Sequence, residues 1–294
     1  MLTGAMSGVS KAVLITGCSS GIGRATALRL TKRGWSVYAT ARRPETLEDL
    51  ARAGCRTLRL DVTEESSMRE AVAEVEREHG AVGVLVNNAG YSQSGPVEEV
   101  PLPALRRQFE TNVFGLVALT QMALPAMRAQ RFGKVVNVSS MGGRLTFPGG
   151  GCYHASKYAL EALSDALRFE VAGFGVDVIL IEPGLIVTDF GKAAVASMDG
   201  AGGPGEVGGE VGGPYEKFDA KLAALTMGAY EGPMRHLGAG PEAVAKAIER
   251  AISRRRAPTR VRVTASARMA ILTRRLTPDR VWDAAMRAQF PRPR

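Results

Sequence analysis

Cysteine is scarce in this chain. Cys18, Cys55 and Cys152 are the only three in 294 residues, an odd number without metal-ligand spacing. That argues against a disulfide-stapled scaffold and a cysteine-built metal site, and favours a reduced, cytoplasmic setting. Long apolar runs are also missing. The richest, residues 176–187, is broken by Asp177, Glu182 and Pro183, so nothing approaches the roughly 18 residues that a membrane span needs. The N-terminus lacks a basic stretch followed by an apolar core and a cleavage site, so no secretory signal is read, and residues 1–10 read as a loose, disordered leader. There is no internal repeat. The apolar share of 45% and the charged share of 23% exclude a wholly disordered or collagen-like chain.

Charge is unevenly spread. The chain carries a net +9, yet residues 250–294 hold 13 arginines, no lysine and two acids, a net of +11, which leaves −2 for the rest. The body is therefore nearly neutral and the basicity belongs to the tail.

Along the body, short apolar runs alternate with helical patterns. Strands are expected at about 12–16, 36–40, 57–60, 84–86, 134–138 and 176–181, with a last one at 259–264. Helices are expected at about 22–33, after Pro44, at 64–78, at 104–129 with an irregular start, at 153–172 and at 241–255, and one or two short ones within 272–290. Strands alternating with helices predict a doubly wound, mostly parallel α/β sheet of the Rossmann type with helices on both faces. The continuous apolar strands fit a sheet covered on both sides. One domain is expected over 11–264, with a substrate loop at 189–240 and a basic C-terminal extension at 265–294. Eight glycines crowd residues 198–214, which reads as a mobile segment.

Three motifs carry chemistry. Thr16-Gly17-Cys18-Ser19-Ser20-Gly21-Ile22-Gly23 lies between the first strand and first helix, where glycines permit a tight turn and the helix N-terminus offers free N–H groups to a pyrophosphate. Asn87-Asn88-Ala89-Gly90 ends the fourth strand, where amides can line a cofactor pocket or simply make a turn. Ser139-Ser140 ends the fifth strand and is followed by Tyr153 and Lys157, four apart on one helix face. A cation beside a phenol favours the phenolate, and a phenol that exchanges protons near neutrality can act as acid or base in carbonyl/alcohol interconversion. Taken alone, such a pair reads as surface packing.

Together with Asn112 and Pro183-Gly184-x-x-x-Thr188, these residues resemble the main subfamily of the short-chain dehydrogenase/reductase family, strongly over about 11–190 and weakly over 241–264. The wording of the motifs is most similar to the branch that holds 17β-hydroxysteroid and retinol dehydrogenases. The resemblance implies a homo-oligomeric, metal-free oxidoreductase. In it Tyr153 is the proton donor or acceptor, Lys157 assists it and holds the nicotinamide ribose, Ser140 (rather than Ser139) bonds the substrate oxygen, and Asn112 supports a proton relay. It also implies that Gly17, Ser19, Ser20, Gly21, Ile22 and Gly23 cradle the pyrophosphate, that Asp61, Val62, Asn88, Ala89 and Gly90 line the adenosine side, and that Pro183, Gly184, Ile186 and Thr188 border the nicotinamide.

The second strand ends Ala41-Arg42-Arg43 with no acid until Glu45. Arg42 and Arg43, helped by Ser20, therefore favour NADP(H), since guanidinium pairs with a 2′-phosphate that an acid would repel; NAD(H) is the alternative. Phe190, Met198, Phe218, Leu222, Leu225, Met227, Tyr230 and Met234 in the loop, and Tyr91, Met141, Leu145, Phe147 and Cys152 nearby, suit a lipophilic carbonyl or alcohol, or else pack the lid. The plainest reading of the tail is a solvated arginine-rich surface partly paired with acids. Peripheral contact with an anionic membrane is the alternative, and no base-reading motif supports nucleic acid. Two rival functions stay open: an NAD-linked alcohol dehydrogenase, and an idle nucleotide sensor of the same fold.

Overall fold

The computed structural model describes residues 8–198, 213–232 and 237–290. Met234, the Tyr230 side chain, most of the leader and residues 199–212 of the glycine-rich segment lie outside the described residues. The chain runs β1 (Ala12–Ile15), α1 (Gly21–Lys32), β2 (Ser36–Ala41), α2 (Glu48–Arg52), β3 (Arg56–Arg59), α3 (Glu65–His79), β4 (Val84–Asn87), α4 (Leu102–Phe109), α5 (Gly115–Ala129) and β5 (Gly133–Val138). It continues with α6 (Gly151–Val171), β6 (Val176–Glu182), α7 (Phe190–Ala196), α8 (Glu216–Glu231), α9 (Pro241–Ile252), β7 (Arg260–Arg262), α10 (Ala265–Leu276) and α11 (Asp279–Gln289).

All seven strands pair in parallel, in the order β3-β2-β1-β4-β5-β6-β7. Side chains alternate across each strand, so β1 feeds two cores. Val13 and Ile15 pack with Leu30, Leu47, Leu50, Val244 and Ile248 on one face. Ala12 and Leu14 pack with Met68, Val72, Val75, Leu119 and Met127 on the other. Truncating a buried leucine such as Leu30 or Leu119 to alanine in cores of this kind costs about 2–5 kcal/mol. The strand order reverses between β1 and β4, and ligands of open α/β sheets bind beyond the carboxyl ends of the strands at that reversal.

The structure corrects several boundaries. The long helix expected over 104–129 is α4 and α5 joined by a π-helical turn at Glu110–Phe114, so its irregularity lies in the middle and holds Asn112. Widened turns of this kind recur at functional sites. The tail helix expected from Leu272 begins at Ala265, because Thr264 caps it, its hydroxyl accepting from Ala267 N at 3.1 Å. β7 is three residues rather than six. Helices α7 and α8, inside the loop at 189–240, were not foreseen. The first starts beside Thr188, whose hydroxyl accepts from Phe190 N at 3.3 Å.

Candidate active site

The turn after β1 and the turn after β4 are laced together at the sheet reversal. Thr16 Oγ1 accepts from the backbone N–H groups of Asn88 (3.0 Å) and Ala89 (2.9 Å). Asn88 Nδ2 donates to the carbonyls of Thr16 (2.9 Å) and Gly17 (3.0 Å). Gly17 has φ +71° and Gly21 φ +55°, a region that side chains disfavour. At Gly23 a Cβ would overlap the Gly17 carbonyl and stand 2.5 Å from Asn88 Nδ2. Ser20 precedes α1 without capping it, and Ser19 and Ser20 are exposed. The first N–H groups of a helix have no partner within it, so this turn presents a bare, positively polarised cradle. Across from it lies Thr188, whose methyl would stand 3.5 Å from a Cβ at Gly21. The first and last motifs thus face each other. Ile22 is half-buried at the start of α1.

Asn87 points inward instead, donating to Thr120 Oγ1 (3.0 Å) and Asn137 Oδ1 (2.9 Å). Asp61 is turned to its own loop, Oδ1 accepting from Thr63 N at 2.9 Å and Thr63 Oγ1 at 2.8 Å. Val62 is buried, with its carbonyl against Gly115. Arg42 and Arg43 are both exposed at the end of β2.

The candidate catalytic side chains lie beyond β5. Lys157 is buried and donates from Nζ to the Val138 carbonyl at 2.8 Å. The same nitrogen lies 5.8 Å from the centre of the half-buried Tyr153 ring. Burial pushes the Lys157 ammonium down to about 8, while the Glu161 charge one turn on raises it. Asn112 donates from Nδ2 to Ser156 Oγ (3.1 Å), which donates to the Tyr153 carbonyl (2.7 Å). Asn112 also holds both polar groups of the Tyr91 backbone, at 3.2 and 3.0 Å. A Cβ at Gly90 would meet Asn112 Oδ1 at 3.0 Å and Lys157 Nζ at 3.8 Å, so Asn88-Ala89-Gly90 and the α6 residues line one space.

Ser140 and Ser139 face different ways. Ser139 is buried, whereas Ser140 is half-buried and caps a short 3-10 turn, its hydroxyl accepting from Gly142 N at 3.0 Å. Pro183 accepts from Met141 N at 2.8 Å, which ties this turn to the loop after β6. Gly184 is pressed against Ser266 and Thr264 at the start of α10, with no room for a side chain. Ile186 is buried and bridges to Ala239.

Four features were missed by reasoning from the sequence. His154 is buried and shares a hydrogen bond of 3.0 Å between its Nδ1 and the Gly142 carbonyl, which makes Nδ1 the protonated nitrogen and steadies the Ser140 turn. Burial lowers its pKa, so it stays neutral. Ser156 links Asn112 to Tyr153. Trp282, from the tail, lies 6.1 Å from Phe147, which in turn lies 6.0 Å from His154. Finally, Glu161, Glu182 and Arg260 form an ion cluster behind α6. Only adjacency to the motifs hinted at His154 and Ser156; the other two depend on distant pairings.

Of the other expected lining residues, Phe190 stacks edge-on to Tyr153 at 5.6 Å and Leu222 lies against Gly149. The loop is tied down where Ser197 accepts from Gln93 Nε2 (2.8 Å) and Ser94 N (3.0 Å). A surface groove of about 640 Å³ between α3 and α5 includes none of the candidate residues in its lining, so chemistry rather than volume marks the site. Among the described residues no cluster of His, Cys, Asp or Glu suits a metal, and no helix is long and apolar enough to cross a membrane. The turn at Gly17–Gly23, where glycines at 17, 21 and 23 leave the backbone open at the start of α1, fits a pyrophosphate, and so fits a dinucleotide.

Known proteins are similar in the same region. The family profile described as short chain dehydrogenase matches residues 11–199. The 3-ketodihydrosphingosine reductase of Bacteroides thetaiotaomicron is 42% identical over 178 residues, covering 60% of this chain and 65% of that protein. The NADPH-dependent 1-acyldihydroxyacetone phosphate reductase of Schizosaccharomyces pombe is 38% identical over 196 residues, 66% of each. The match thus spans just under two thirds of the length of these two relatives. The crystal structure of a short-chain dehydrogenase from Streptomyces avermitilis superposes with a TM-score of 0.73 at 37% identity, over 92% of this chain and 93% of that one.

Proposed function

The chain belongs to the short-chain dehydrogenase family and is an oxidoreductase; on that premise we propose that it interconverts a carbonyl and an alcohol, a secondary one foremost, on a lipophilic molecule with NADP(H). The observation that carries the reading is the buried Lys157 ammonium 5.8 Å from the Tyr153 ring, with Asn112 reaching the same residue through Ser156.

In reduction Tyr153 gives its phenolic proton to the carbonyl oxygen, and the Ser140 hydroxyl donates a hydrogen bond to that oxygen. Lys157 stabilises the phenolate left behind. Asn112, locked by Tyr91 and Ser156, holds the inner end of the proton relay. The nicotinamide, when bound, supplies or accepts the hydride. Gly17, Ser19, Ser20, Gly21, Ile22 and Gly23 hold the pyrophosphate by backbone N–H groups. Asp61, Val62, Asn88, Ala89 and Gly90 line the adenosine, Tyr153 and Lys157 the second ribose, and Pro183, Gly184, Ile186 and Thr188 the nicotinamide.

Exposed Arg42 and Arg43 receive the 2′-phosphate, helped by the Ser20 hydroxyl. The name of the Schizosaccharomyces pombe relative states NADPH dependence, and both curated relatives are named as reductases, which supports NADPH and reduction. The names also describe lipid-like substrates, in keeping with Phe190, Phe218, Leu222 and Phe147 around the loop at 189–240. Exposed Phe114, at the turn before α5, and Tyr158, Leu163 and Phe169 on α6 support a homo-oligomer through α5 and α6. Three free buried cysteines suit a reducing cytoplasm.

A fluorescence titration with NADPH and with NADH tests the cofactor, and NADPH-coupled turnover of lipophilic ketones tests the reaction. NADPH binding at least tenfold tighter, about 1.4 kcal/mol, is expected. Equal or NADH-favoured binding overturns the cofactor choice in favour of an NAD-linked alcohol dehydrogenase.

A further inference from the structure

One ion cluster, partly buried, supplies no group that touches the reacting atoms, yet it joins α6, which carries Tyr153 and Lys157, to the end of β6. Glu161 lies one turn beyond Lys157 on α6, its side chain 5% exposed. Glu182, fully buried, ends β6 and immediately precedes Pro183-Gly184. Arg260 opens β7 and reaches both. Its Nε lies 3.1 Å and its Nη2 3.0 Å from Glu161 Oε2, and Nε lies 3.2 Å from Glu182 Oε1. Nη2 also donates to Asp165 Oδ2 at 2.6 Å, one further turn along α6. Arg262 adds a contact of 3.2 Å to the other oxygen of Glu182. Arg168 holds the second oxygen of Asp165 at 2.6 Å, and Arg144 stands 3.9 Å from Glu161.

The cluster also underlies the Ser140 turn, since a Cβ at Gly143 would stand 2.9 Å from Glu161 Cγ. Buried charges are costly unless fully paired, and replacing such a cluster with apolar residues is often neutral for stability. Stability alone therefore gives little reason for three carboxylates to meet one guanidinium here. Direction does: a guanidinium offers five donors in one plane, so it can fix a helix and a strand end relative to each other with a directionality that apolar contacts lack.

We propose that Arg260 is a positioning residue for the oxidoreductase site, its guanidinium clamping the helix that carries Tyr153 and Lys157 onto the strand that ends in Pro183 and Gly184. The proposal rests on the roles assigned above to those residues. It predicts damage confined to the nicotinamide side, because the adenosine side depends on β1, β2 and β4, which the clamp does not touch.

The test compares the wild type with Arg260→Lys, which keeps a charge but cannot span three carboxylates, and with Glu182→Gln, which keeps the size and removes one charge. Both are assayed well below their melting temperatures. Adenosine 2′,5′-bisphosphate probes the adenosine side, the emission of bound NADPH probes the nicotinamide, and NADPH-coupled reduction of 2-decanone probes turnover. In Arg260→Lys we expect bisphosphate affinity within twofold of wild type, loss of at least half the NADPH emission enhancement, and a kcat at least tenfold lower. Glu182→Gln should move the same way by about threefold. Unchanged emission and kcat with only a lower melting temperature would make Arg260 a packing residue and overturn the proposal. Bisphosphate affinity falling in step with NADPH affinity would also overturn it, as general loosening. Failure of the wild type to reduce 2-decanone would count against the substrate reading alone, because the emission measurement needs no ketone.

Discussion

The two halves of the sheet solve different problems with different materials. Around β1 and β4 the site is made of backbone: Gly17, Gly21 and Gly23 withhold side chains, and Thr16 and Asn88 stitch two turns together with hydrogen bonds of 2.9–3.0 Å. Around β5, β6 and β7 it is made of ions: the buried Lys157, Glu161 and Glu182, and the half-buried Arg260. The first half needs close approach and partial charge from a helix end, which the main chain supplies whatever its neighbours are. On the proposed reading the second needs a phenol held beside a buried ammonium, and a lone ammonium there would lose its proton unless other charges supported it.

The sharpest break of this contrast is Tyr153→Phe, which removes only the phenolic hydroxyl. Turnover should fall at least about 100-fold, while NADPH affinity measured by fluorescence stays within twofold. Retained turnover would move the chemistry away from α6.

Gly23→Ala attacks the other half. Its Cβ would overlap the Gly17 carbonyl, so NADPH affinity should fall at least tenfold and the melting temperature should drop by several degrees, in line with overpacking costs of about 1–3 kcal/mol. Gly173→Ala, with nothing within 4 Å of the new carbon among the described residues, is the control and should change neither.

Arg42→Ala with Arg43→Ala should reduce the preference for NADPH over NADH about tenfold without changing kcat, as read from paired titrations. A preference that survives would put the 2′-phosphate elsewhere.

The smallest effect is a pH dependence. Burial lowers Lys157 to about 8, so reduction should weaken several-fold as pH rises through 8 and the ammonium is lost. Stability runs the other way. A lysine depressed in the folded state opposes folding below that value, and this opposition fades between 8 and the ordinary lysine value of 10.5. The melting temperature of wild type minus that of Lys157→Met should therefore rise across that window. A flat difference would mean that the ammonium is not buried as described.

Much of the candidate site could be read from the residues in order. The glycine turn, Asn88-Ala89-Gly90 and the four-residue step from Tyr153 to Lys157 are local patterns, and local geometry makes them meaningful. The parallel sheet followed from apolar runs separated by helices. What escaped was non-local. The tail was expected to be partly paired with acids, but nothing along the chain said that Arg260 and Arg262 would be the paired members or that their carboxylates would lie 80 to 99 residues away. Trp282 gave no sign that it would reach Phe147. Asn112 was expected in a helix, but its widened turn depends on packing against Tyr91 and Ser156.

By itself the sequence determined the alternation of strands and helices, the bare glycine cradle and the shared helix face of Tyr153 and Lys157, because each arises from spacing of a few residues along one element. Only the tertiary structure decided that Ser139 is buried while Ser140 is not, that His154 is neutral, and that three carboxylates share one arginine. Those outcomes depend on which groups from distant segments exclude water around them, and desolvation is a property of the packed whole.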